Sequence, residues 1–127
     1  MKTGTELISE ERVRQVAVEG YDSAHDDAHS QGELAMAACC YAGPHKIYEM
    51  IKTPRGVAFV DPWPFSPVEA ERGYFDWDKR KQFAKGNIPL AHEDMSMEQR
   101  IELLIKAGAL IAAEIDRLKR LEDRHAR

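Results

Sequence analysis

With 127 residues, 43% hydrophobic and 31% charged, the chain has the composition of an ordinary folded domain. It is long enough to bury roughly two-thirds of its unfolded surface around one core. A formal charge of -4 leaves no positive field for nucleic acid or an anionic membrane, so neither is expected as a partner. Met1 to Glu19 carries no apolar run of the signal-peptide kind, and no segment approaches the length of a membrane span, so the expected location is the cytoplasm.

The pattern predicts an all-α fold: one compact helical domain over residues 1–127, with a long C-terminal helix and an irregular arm rich in proline and aromatics at about 53–95. Thr5 is the expected cap of a first helix through about Glu19. Ile8, Val13, Val16 and Ala17 form its apolar stripe, and Gly20 ends it. Residues 21–30 leave two starts open. Ser23 could cap a helix running unbroken to Tyr41, or Ser30 could cap a later one with Glu33 as its capping-box partner. In both, Leu34 to Ala42 is helical, thin because of Ala35, Ala37, Ala38 and Ala42, and stopped by Gly43-Pro44.

Ile47 to Ile51 suits a short helix, and Val57 to Val60 an extended segment. Pro54, Pro62, Pro64 and Pro67 exclude a regular helix between Thr53 and Pro67, and one helical turn is expected near Lys79–Ala84. Ser96 opens the last helix with Gln99 at the capping-box position, and the helix should run to about Asp123. Its expected core stripe is Ile101, Leu104, Ile105, Gly108, Ile111, Ala112, Ile115 and Leu118. Glu102–Lys106 and Asp116–Arg120 would be outer-face ion pairs. The part beyond Leu118 exceeds what such a core needs, so Leu118 and Leu121 could make a homodimer contact. The adjacent Cys39 and Cys40 cannot staple the chain and are expected to stay thiols, as in a reducing compartment.

The densest chemistry lies between Gly20 and Ala42. On a continuous helix His25, His29 and Glu33 would share one face, and two imidazoles a turn apart can grip one divalent cation. His25, Asp26 and His29 are therefore the candidate metal ligands, with Asp27 adding a hard oxygen donor nearby. The same residues could equally cap a helix and bond to the backbone. Trp63, Phe65 and Trp77 are rings able to stack on a base, and Lys79, Arg80, Lys81 or Arg55 could take a phosphate. Glu114, within an apolar run, either lies on the polar edge or turns inward toward the acidic-histidine segment.

The run Glu10-Glu11-Arg12, Gln15, Glu19-Gly20-Tyr21, His25-Asp26-Asp27-x-His29-x-x-Gly32-Glu33-Leu34-Ala35 resembles small proteins carried by phages and prophages. Trp63-Pro64-Phe65 fits that pattern, as does Lys106-Ala107-Gly108-Ala109-Leu110-Ile111-x-Ala113-Glu114-Ile115-Asp116-Arg117-Leu118. Ser66 to Asp94 is longer than the pattern and departs from it. The resemblance implies a phage accessory role in host takeover or counter-defence. The leading expectation is a protein that binds a small nucleotide-like ligand or a host defence component. Its ligand set would be His25, Asp26, Asp27, His29, Glu33, Trp63, Phe65, Trp77, Lys79 and Arg80. The alternatives are a metal-dependent nucleotide (pyro)phosphohydrolase with Glu33 or Glu114 as general base, and a purely structural partner-binding helix pair.

Overall fold

The computed structural model describes residues 1–65, 80, 84–85, 88–89 and 92–126. Among these the chain forms helices α1 (Gly4–Glu19), α2 (Ser23–Ala28), α3 (Glu33–Ala42) and α4 (Met97–His125). Two antiparallel hairpins join them: β1 (Glu49–Thr53) with β2 (Gly56–Val60), and β3 (Ala84–Lys85) with β4 (Ile88–Pro89). The fold is mostly helical but not purely all-α. No helix among the described residues is long and apolar enough to cross a membrane.

The segment expected to be a helix over Ile47–Ile51 instead enters strand β1, in register Met50↔Phe59 and Ile51↔Ala58. Pro54-Arg55 closes the hairpin, and pairing with the β-branched run of β2 overrides the weak local helix preference. Val57 to Val60 is extended as expected. The turn expected near Lys79–Ala84 lies largely outside the described residues, and Ala84 itself begins β3.

Helix α1 starts two residues earlier than expected. Thr3 accepts a bond from the Glu6 amide while the Glu6 side chain reaches back, making a capping box that Thr5 cannot. Gly20 ends the helix at φ 73°, a left-handed conformation that glycine adopts without strain. Neither expected start holds in residues 21–30. Asp22 caps α2 by accepting from the His25 amide at 2.9 Å, and Gly32 at φ 81° breaks the path before α3. His25, His29 and Glu33 therefore do not share one helix face.

The core lies between α3 and α4. Leu34, Ala37, Ala38 and Tyr41 meet Leu103, Ala107, Leu110 and Ala113, with Met95 below and Trp63 and Phe65 packed against them. The small residues let the two helices approach closely, as expected. The stripe of α4 that does this work is not the expected one: Ile101, Leu104, Ile111, Ile115 and Leu118 face outward. The expected ion pairs of α4 are also replaced. Lys106 is buried and turned to Glu11, and Arg120 reaches Asp27.

Helix α1 is inverted in the same way. Val13, Val16, Ala17 and Val18 point outward, while Gln15 is buried and Glu11, Arg12, Arg14 and Glu19 are half-buried. Charges can occupy that face because each meets its opposite: Glu11–Arg14 at 2.7 Å, Arg14–Glu19 at 3.2 Å, Lys106–Glu11 at 3.4 Å and Arg12–Asp26 at 2.7 Å.

His92, in the 3-10 turn His92–Asp94 before α4, is buried. Burial, helped by the positive Arg100, holds its pKa below the ordinary 6.5; Glu93 opposes this. The folded state thus prefers neutral His92. Its contribution is present above about pH 6.5 and is lost as the pH falls toward the depressed folded value. Thermal midpoints should fall between pH 7.5 and 5, and a His92→Phe variant should lose part of that dependence.

Candidate functional site

Six rings run in sequence through the centre of the molecule. Tyr21 stacks on His25 with centroids 4.4 Å apart and 8° between planes, and His25 lies 4.6 Å from His29. His29 meets the edge of Phe65 at 5.0 Å, Phe65 meets Trp63 at 5.4 Å, and Trp63 meets Tyr41 at 5.2 Å. Thus the structure does bring the acidic-histidine segment to the Trp63-Pro64-Phe65 element. The proline-restricted backbone of that element holds its two rings against α3.

Hydrogen bonds fix the histidines in this ladder. Carboxylates and carbonyls only accept, so His25 Nδ1–H donates to Asp26 Oδ1 and His29 Nδ1–H donates to the His25 carbonyl, both at 3.0 Å. Asp26 Oδ2 takes Arg12 at 2.7 Å, and the same guanidinium donates to the Tyr21 carbonyl at 3.0 Å. Arg12 therefore locks α1, Tyr21 and α2 together. Among the described residues no three His, Cys, Asp or Glu side chains gather in a group that could hold a metal ion.

Other expected site residues lie elsewhere. Asp27 points away from the ladder into a clasp with Arg120 and Arg124, each at 2.9 Å. The Arg120 hydrogen bond, aided by Arg124, keeps its carboxyl below the usual aspartate range. Glu33 folds back on the Gln31 amide. Arg80 is buried, its guanidinium 5.1 Å over Trp63 and 2.8 Å from Asp61, so it braces the ladder. Trp77, Lys79 and Lys81 lie outside the described residues, and Arg55 is exposed in the hairpin turn. Glu114 is taken up by Arg117 at 2.6 Å rather than facing His25.

The two ends of the ladder meet at a depression. Tyr21, Tyr41, Trp63 and Phe65 line it together with Glu11, Arg14, Gln15, Glu19, Lys106 and Leu110. It is narrow, with about 20 Å³ of free volume, room for about one water molecule. A larger groove of about 730 Å³ between α1 and the start of α4 shares Glu11, Arg14 and Lys106 with it. That size is within the range of small-molecule sites.

Gln15 is the most telling residue of this lining. It is 3% exposed, and its Nε2 donates to Glu11 Oε2 at 3.4 Å, which orients the amide. Its Oε1 has no hydrogen-bond partner among the described residues. A buried acceptor left so costs about 1–3 kcal/mol, a penalty that a donor from a ligand or water would remove. Beside it, burial pushes the Glu11 carboxyl up, but the Arg14 hydrogen bond and Lys106 outweigh this and hold it below the usual range. The depression thus presents two carboxylates, two cations and one amide oxygen beneath four aromatic rings.

Of this lining only Trp63 and Phe65 were expected as ligand contacts. His25, Asp26 and His29 form the backing that positions Tyr21 and Phe65. The missed signal is the spacing Glu11, Gln15, Glu19, a polar stripe at i, i+4 and i+8 on α1. No family model, no curated protein and no solved structure matches this chain.

Proposed function

We propose that this protein captures a small nucleotide-like ligand, the property a phage-borne counter-defence protein would use against a nucleotide signal. The observation that supports the reading is the buried Gln15 Oε1, unpartnered among the described residues, beneath the aromatic side of a charged depression. A nucleotide supplies what that lining lacks, an N–H donor for Gln15, while the packed rings of Trp63 and Phe65 form the apolar wall behind it. Arg14 and Lys106, which line both the depression and the groove, would meet the ligand's anionic part. A single donor group or a bridging water reaches Gln15 in the narrow depression, and the body of the ligand lies in the groove.

The test is a thermal-shift and calorimetry panel of mono-, di- and cyclic nucleotides, run with magnesium and again with chelator, followed by chromatography of the ligand. A captured nucleotide should stabilise the fold by about 2.7 kcal/mol at a hundredfold excess over Kd and be recovered intact. Gln15→Leu and Lys106→Met should each weaken binding by about tenfold or more while keeping helical circular dichroism. No response to any nucleotide at millimolar concentration refutes the proposal. Product formation that chelator stops would replace capture with metal-dependent hydrolysis.

A further inference from the structure

The outward face of α4 carries five large aliphatic side chains, Ile101, Leu104, Ile111, Ile115 and Leu118, each between 46% and 51% exposed. Together with Gly108 they recur at alternating steps of three and four residues, the spacing of the a and d positions of a heptad. Gly108 is the one place in this row without a side chain, and Ile8 of α1 occupies the notch: a Cβ there would lie 2.5 Å from Ile8 Cδ1. The row is therefore continuous in apolar surface from Ile101 to Leu118. A stripe of this kind on one helix is what a partner helix needs for knobs-into-holes packing.

We propose that this face pairs with the same face of a second copy of the chain, the two α4 helices running antiparallel about a two-fold axis. The spacing is self-complementary in that orientation. Ile101 comes opposite Leu118, Leu104 opposite Ile115, and Gly108 opposite Ile111, so Ile111 of one copy meets the Gly108 position that Ile8 already fills in the other. A parallel pairing would instead set Gly108 against its own equivalent. Charge agrees with the antiparallel choice. On the flank of the row, Glu98 of one copy comes about 3 Å along the axis from the level of Lys119 of the other, close enough for an ion pair, twice by symmetry. Both residues are exposed and neither forms an ion pair in its own chain among the described residues. Glu98 and Ile101 also line the groove between α1 and α4, so the second copy forms its outer wall and sets Lys119 beside its acidic rim. The pairing does not depend on ligand capture.

Sedimentation equilibrium of the full chain tests this. A dimer is expected, twice the 14.4 kDa of one chain, dissociating on dilution. Ile115→Lys should give monomers with unchanged helical circular dichroism. Lys119→Glu, a change at an exposed position, should weaken association by about tenfold, and Glu98→Lys in the same chain should restore it. Binding measurements from the preceding section, repeated on the monomeric variant, separate failure of the dimer from failure of ligand capture. A wild-type monomer at concentrations up to roughly 0.5 mM overturns the proposal. So does a dimer indifferent to Ile115→Lys, or a charge reversal at Lys119 that the double variant does not rescue.

Discussion

Asp26→Ala should lower the unfolding free energy by about 3–5 kcal/mol, the loss expected when one partner of a buried ion pair is removed. Asp26 is 0% exposed, and both its oxygens are occupied, one by Arg12 at 2.7 Å and the other by His25 at 3.0 Å. Truncation leaves the Arg12 guanidinium, itself mostly buried, facing a void, and leaves His25 without its acceptor. Because Arg12 also holds the Tyr21 carbonyl, the Tyr21–His25 stack should loosen and ligand affinity should fall with stability. Asp26→Asn keeps the shape and one hydrogen bond, so about 1–3 kcal/mol is expected. The neighbouring Asp27→Ala is the control. Its side chain is partly exposed, Arg124 is exposed and Arg120 is about a third exposed, so about 1 kcal/mol or less is expected. Urea unfolding of the three variants measures this. Equal losses at Asp26 and Asp27 would contradict the assignment of Asp26 as the anchor between α1 and α2.

That pair of aspartates shows how far the sequence could be read. The inward, paired character of His25, Asp26 and His29 was legible from their density ahead of a small-residue helix. Their grouping with Trp63 and Phe65 was legible, but they stand behind those rings and do not line the depression with them. Caps made of local chemistry were legible too: Ser96 with Gln99, Gly20, and Gly43-Pro44 all act as their residue types dictate. Thr3 and Thr5 are both cap-type residues at the start of the first helix, and only Thr3 has a glutamate three residues on. The break at Gly32 is a left-handed glycine ahead of α3 that makes no side-chain cap, so no capping pattern announces it. Pairing between distant segments was not legible. Lys106 meets Glu11 across 95 residues of chain, and nothing near either residue announces the other. The polar face of α1 became an inner face only because that lysine, Tyr21 and Asp26 received it. For the same reason Gln15 and Lys106 escaped notice as site residues.

Leu103→Ala should cost about 2–5 kcal/mol, whereas Leu104→Ala, one position along, should cost below about 1 kcal/mol in the monomer. Leu103 is 0% exposed within the cluster formed with Leu34 and Tyr41, so its removal opens a cavity that α3 cannot collapse into. Leu104 is 48% exposed and leaves no cavity. The contrast is demanding because α4 is apolar on two sides. Ile101, Leu104, Ile111, Ile115 and Leu118 make the more hydrophobic stripe, and Leu103, Ala107, Leu110 and Ala113 the smaller one. Hydrophobicity alone selects the first as core. Size selects the second, since α3 offers Ala37 and Ala38 and can approach only a surface of small residues. The bulkier stripe is then left half-exposed. Denaturation at protein concentrations where the midpoint no longer depends on concentration reads the two losses free of any association. A larger loss at Leu104 than at Leu103 would mean that α3 packs on the other face of α4, and both the core and the proposed dimer surface would have to change places.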